Sequence, residues 1–103
     1  MAQNDEALAK YREGKTKLGQ LLRERKGLLE NLEELIEHAR DLSTSDTIVK
    51  FDTDRSEDLC STLKTLETRI DSSIAKINAY AEQCGRAPIQ VQAIPSQTKK
   101  PRR

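Results

Sequence analysis

The chain has 103 residues, of which 35% are hydrophobic, 34% charged and 3% aromatic, which allows one domain at most. A composition so charged and so short of rings does not fill a bulky globular core, and it points to leucine seams between long helices. The net charge of +1 hides an uneven spread: the segment from Gly85 onward holds Arg86, Lys99, Lys100, Arg102 and Arg103 without an acid, so the rest carries −4 and disfavours phosphate ligands.

A first helix is predicted over residues 4–42. Asn4 is a good N-cap, and Asp5 and Glu6 then sit in the first turn, where the helix dipole favours anions. With Leu8 as heptad position a, that column holds Leu8, Lys15, Leu22, Leu29 and Ile36, and position d holds Tyr11, Leu18, Arg25, Leu32 and Ala39. A third column, g, holds Leu21, Leu28, Leu35 and Leu42. Apolar a, d and g together make a stripe wider than a two-stranded seam needs, the kind used in larger helical bundles. Gly14, Gly19 and Gly27 each cost about 1 kcal/mol relative to alanine, so the N-terminal half is expected to fray and residues 28–42 to be the firmer end.

Residues 43–54 break the pattern with Ser, Thr and Asp yet contain Ile48, Val49 and Phe51, which are expected to fold over the end of the bundle, as a single helical turn in one version. Asp54 with Glu57 reads as a capping-box variant. A second helix is predicted over residues 55–84, with Leu59, Leu63, Leu66, Ile70, Ile77, Tyr80 and Cys84 at alternating spacings of three and four, Ser73 interrupting, and Ile74, Cys60 and Ala81 widening the stripe. Gly85 suits the position after a helix and Pro88 forbids continuation. Residues 85–103 read as an extended basic tail.

The fold class expected is therefore all-α: an antiparallel, coiled-coil-like helical hairpin over 4–84. Pairing about residue 48 places Arg25 opposite Asp71 to Ser73 and Lys15 opposite Glu82. Such a hairpin covers a and d but leaves the g column wet, so a homodimer forming a four-helix bundle, or docking into a larger complex, is expected. The residues assigned to that partner interface are Leu18, Leu21, Leu22, Leu28, Leu29, Leu32, Leu35, Ile36 and Leu42 on the first helix, with Leu63, Leu66, Ile70, Ile74 and Ile77 on the second.

No catalytic, cofactor or metal site is expected. The acidic stretch Glu30, Glu33, Glu34, Glu37, His38 lacks the inward Glu-x-x-His of carboxylate-bridged bundles, since Leu35 precedes His38 by three and both Glu34 and His38 fall on the outer face. Cys60 and Cys84 have no zinc-spaced companions. They lie about 36 Å apart along one helix and cannot bridge each other, so reduced thiols and a cytoplasmic or nuclear setting rather than secretion are expected. No apolar run reaches the ~18 residues of a membrane span, and the polar beginning does not read as a leader. Ser43-Thr44-Ser45-Asp46 offers hydroxyls either for modification or for capping and solvation.

In the tail, Lys99, Lys100, Arg102 and Arg103 look like a short nuclear import signal or a weak, salt-sensitive phosphate contact; a solubilising role is the alternative. Ile89-Gln90-Val91-Gln92-Ala93-Ile94 alternates apolar and polar residues, as a strand added to a partner's sheet edge does. Ile89-Gln90-Val91 and Ser96-Gln97-Thr98 resemble the core triplets of peptides bound by the dynein light chain hub, with departures at Pro88 and at Ser96. That resemblance covers about ten residues and implies a strand-like protein ligand. The competing expectation is that Ile89–Ile94 packs back onto the bundle. Function is expected to be that of a non-enzymatic structural or adaptor subunit, with a small nucleic-acid-associated protein, or a chaperone or inhibitor wrapping one partner, as alternatives.

Overall fold

The computed structural model describes residues 2–92, with side chains from residue 5 onward. Two long helices pack as an antiparallel hairpin, α1 over Ala2–Asp41 and α2 over Thr53–Cys84. The described residues extend 70 × 31 × 17 Å, the proportions of a rod one helix pair thick.

Both helices start earlier than the sequence suggests. Asn4 lies inside α1, because the helix already begins at Ala2. The cap of α2 is Asp52 rather than Asp54: its Oδ1 accepts the Arg55 amide at 2.9 Å, which satisfies one of the unpaired donors of the first turn. Asp54 sits within that turn as a favourable charge beside the dipole. The end of α2 matches expectation. Gly85 adopts φ 73°, and the Gly85 and Arg86 amides both donate to the Ala81 carbonyl, a bonding pattern that closes the helix.

The connection contains no helical turn. Its hydroxyls build it instead. Ser43 Oγ donates to the Ala39 carbonyl at 2.7 Å and accepts the Val49 amide at 3.0 Å. Thr44 Oγ1 accepts the amides of Asp46 and Thr47. Val49 is half-buried, whereas Ile48 and Phe51 face water; only one of the three apolar loop residues turns inward.

The helix face that α1 gives to α2 differs from the expected one. The residues withdrawn from water on α1 are Ala7, Tyr11, Gly14, Leu18, Leu21, Arg25, Leu28, Leu32, Leu35 and Ala39, with Leu8, Gly19 and Gly27 less regularly so. These are columns d and g, not a and d. The g column, continued back through Gly14 and Ala7, contains no charge, while column a contains Lys15. Choosing d and g therefore leaves Lys15 hydrated, where its ammonium lies 5.5 Å from the centre of the Tyr11 ring. Position 42 closes the g column but lies past the helix end and is exposed.

The core is a cluster of Leu18, Leu21, Leu66, Ile70 and Ile77, with Tyr11, Leu28, Ile74 and Ile89 packed against it. On α1 the buried side chains all lie at or before Leu21. This reverses the expectation that residues 28–42 are the firmer end. The reason is visible at Gly14: a β-carbon there would lie 2.7 Å from Cγ1 of Ile77, so the missing side chain lets the helices approach closely enough to bury Ile77. On α2 the seam is Leu59, Leu66, Ile70, Ile77 and Ala81, and Cys60 is exposed rather than widening it.

Register is one turn from the expected pairing. Arg25 Nε donates to Glu67 Oε2 at 2.8 Å, four residues before Asp71. The earlier start of α2 and the short approach at Gly14 set this alignment, and Lys15 has no acidic partner across the seam among the described ion pairs.

Candidate helix-binding interface

Most of the residues assigned to a partner interface are occupied within the chain. Leu18, Leu21, Leu66, Ile70 and Ile77 are buried between the two helices, and Leu28, Leu32, Leu35, Leu63 and Ile74 are half-buried beside them. Turning columns d and g inward leaves column a outward. Leu22, Leu29 and Ile36 are 43%, 45% and 47% exposed, in line at seven-residue spacing along one side of α1.

A shallow groove follows this column. Its floor is Leu22, Leu29, Leu32 and Ile36, and its rim is charged, with Lys26 and Glu33 among the lining residues. The helix hydrogen bonds already satisfy the backbone here, so the face offers apolar contact and side-chain charge, the two means by which one helix recognises another. At the end of the groove Arg40 is already engaged. Its Nε and Nη2 donate to the two carboxylate oxygens of Asp41 at 2.8 and 3.2 Å, which holds the Asp41 carboxyl below the ordinary range and the guanidinium above it. Both side chains are exposed, so the pair stabilises little. The hairpin tip adds three more exposed apolar side chains, Leu42, Ile48 and Phe51.

A second cleft runs alongside the close approach of Gly14 to Ile77, and its lining includes the charged Lys10, Glu13, Lys17, Glu24, Arg69 and Lys76. Its lining mixes cations, carboxylates and hydroxyls. Among the described residues no three His, Cys, Asp or Glu side chains gather at metal distance, and His38 and Glu34 both face water. Cys60 and Cys84 are free thiols. No described helix is long and apolar enough to cross a membrane.

The tail begins with an anchored segment. The Ile89 amide donates to Asn78 Oδ1 at 2.7 Å, Asn78 Nδ2 donates back to the Ile89 carbonyl at 3.4 Å, and the Ile89 side chain packs on the core. Ile89 thus follows the packing-back expectation, while Gln90 and Val91 face water. Both polar backbone groups of Ile89 are in use, so adding this residue to a partner's sheet would require breaking the Asn78 pair. Ile94, Ser96-Gln97-Thr98 and the basic Lys99, Lys100, Arg102 and Arg103 lie outside the described residues.

Sequence reasoning missed the Asn78 anchor, because an asparagine inside a helix carries no signal of a residue eleven positions later. The outward column carried a partial signal, the lysine at position 15 of column a, although the inward column d also holds a charge at Arg25. No protein-family model, curated protein or solved structure matches the chain.

Proposed function

We propose that this protein is a non-enzymatic assembly subunit, a helical hairpin that works by presenting the Leu22, Leu29 and Ile36 column of α1 to a helix of another subunit. The observation that carries this reading is the straight, half-exposed apolar column itself. Scattered surface leucines are ordinary, but three in register on one helix face form a continuous stripe. Covering the exposed half of each contributes about 1 kcal/mol, so the column adds about 3 kcal/mol per helix, and the charged rim must supply orientation and the remaining affinity. The small intrachain core adds weight, since the eight buried apolar residues among those described, two of them alanines, leave a hairpin that gains from company.

The test is gentle purification from the native source of the intact chain and a Leu29→Asp variant in parallel. The intact chain is expected in an assembly heavier than one hairpin and the variant is not. An intact chain running alone at the mass of one hairpin refutes the reading. The expected setting is the cytoplasm or nucleus, where Cys60 and Cys84 stay reduced.

A further inference from the structure

Four of the charges beside the exposed column, Arg23, Lys26, Glu33 and Glu37, are arranged as opposites about nearly the same point. Leu22 and Ile36 flank Leu29 at equal spacing. Lys26 and Glu33, on the adjoining exposed column, are centred between residues 29 and 30. Arg23 and Glu37, one column further out, are centred on residue 30. All four charged residues are exposed, and among the described residues none of them takes part in an ion pair within the chain.

We infer that the occupant of this face is a second copy of the same chain, its α1 antiparallel to the first, with the twofold axis passing beside Leu29. The inference rests on the reading that this face binds a helix. An antiparallel copy so placed sets Leu22 against the partner's Ile36 and Leu29 against the partner's Leu29. It also sets Lys26 beside the partner's Glu33 and Arg23 beside the partner's Glu37, and the twofold repeats each of these unlike pairs. A parallel copy would stack Lys26 on lysine and Glu33 on glutamate, which is repulsive. Glu30 lines the groove and meets its own symmetry mate near the axis, a like-charge contact offset by Lys26, one turn away on each helix. An unrelated helix would have no cause to match this inverted order of charges.

Sedimentation equilibrium on the full chain tests the pairing, with circular dichroism confirming that each variant folds. The wild type is expected to show a reversible monomer–dimer equilibrium. Lys26→Glu and Glu33→Lys each create two like-charge contacts and should weaken dimerisation about tenfold or more. The double variant, and an equimolar mixture of the two single variants, should both recover it. In a Cys60→Ser, Cys84→Ser background, Leu29→Cys is expected to cross-link the dimer on mild oxidation. Leu22→Cys is not, because the two copies of residue 22 stand about 21 Å apart along the helix axis. A purely monomeric chain, a dimer that cross-links equally well through position 22, or charge swaps without rescue overturns the inference. A monomeric purified chain that still enters a heavier assembly in native extract overturns self-pairing alone; a chain that is solitary in both overturns the helix-binding reading as well.

Discussion

Alanine at Gly14 and alanine at Gly27 are the same chemical change in the same helix, and the packing predicts different outcomes. Both replacements remove the helix penalty of glycine, a gain of about 1 kcal/mol. At Gly27 nothing lies within 4 Å of the new methyl group, so the gain stands. At Gly14 the methyl carbon would lie 2.7 Å from Ile77 Cγ1, while carbons rest at about 3.5–4.0 Å, so something must move by about 1 Å. Ile77 is 1% exposed and β-branched, which limits its rotamers. Overpacking of this kind costs about 1–3 kcal/mol, leaving Gly14→Ala between neutral and about 2 kcal/mol destabilising. The propensity gain cancels in the comparison, so the two alanine variants should differ by about 1–3 kcal/mol, or roughly 5–20 °C in melting temperature for a domain of this size. Thermal melts followed by circular dichroism, at matched protein concentration because association shifts the midpoint, measure the gap. A Gly14→Ala variant that melts as high as Gly27→Ala would show that the helices do not approach closely at this point.

Asp52→Ala should cost about 1 kcal/mol in urea unfolding through the lost cap, and Asp54→Ala only a few tenths through the dipole. A double-mutant cycle on Arg25 and Glu67, whose side chains are 42% and 46% exposed, should give a coupling below about 1 kcal/mol that shrinks with salt. Asn78→Ala should abolish the hydrogen-exchange protection of the Ile89 amide and cost about 1–2 kcal/mol while leaving the helical signal unchanged. Leu32→Asp, at a half-buried seam position, should destabilise by about 2 kcal/mol, whereas Glu34→Ala on the wet face should stay within about 0.5 kcal/mol; equal melts for this last pair would contradict the assignment of helix faces.

The two helices and their C-terminal stop were legible because leucine spacing, Gly85 and Pro88 act through local geometry. The choice between columns a and g was harder. Each borders column d on one side, so periodicity alone ranks them equally, and with four large apolar residues in each, counting these favours neither. What separates them is a charge at position 15 in one column and a glycine at position 14 in the other, and the second matters only when a facing Ile77 is known. The register slipped by a turn for a related reason: an arginine reaches acids a turn apart, so Glu67 and Asp71 look alike until the backbone places one of them. The loop misled because three apolar residues suggested a lid, whereas the hydroxyls of Ser43 and Thr44 fix the backbone so that only Val49 turns in. The sequence leaves the g column wet; in the closed hairpin the half-exposed apolar column is a instead, at Leu22, Leu29 and Ile36.

The placement of the core also bears on how the chain reaches this structure. Its five-residue cluster joins Leu18 and Leu21 to Leu66, Ile70 and Ile77, across a separation several times longer than the connection itself. Closing so long a segment costs about 1 kcal/mol more than zipping up from the tip, yet the tip offers mainly half-covered contacts to reward an early start. Collapse should therefore begin between distant stretches of an already helical chain, and the loop-proximal turns should join last and open first.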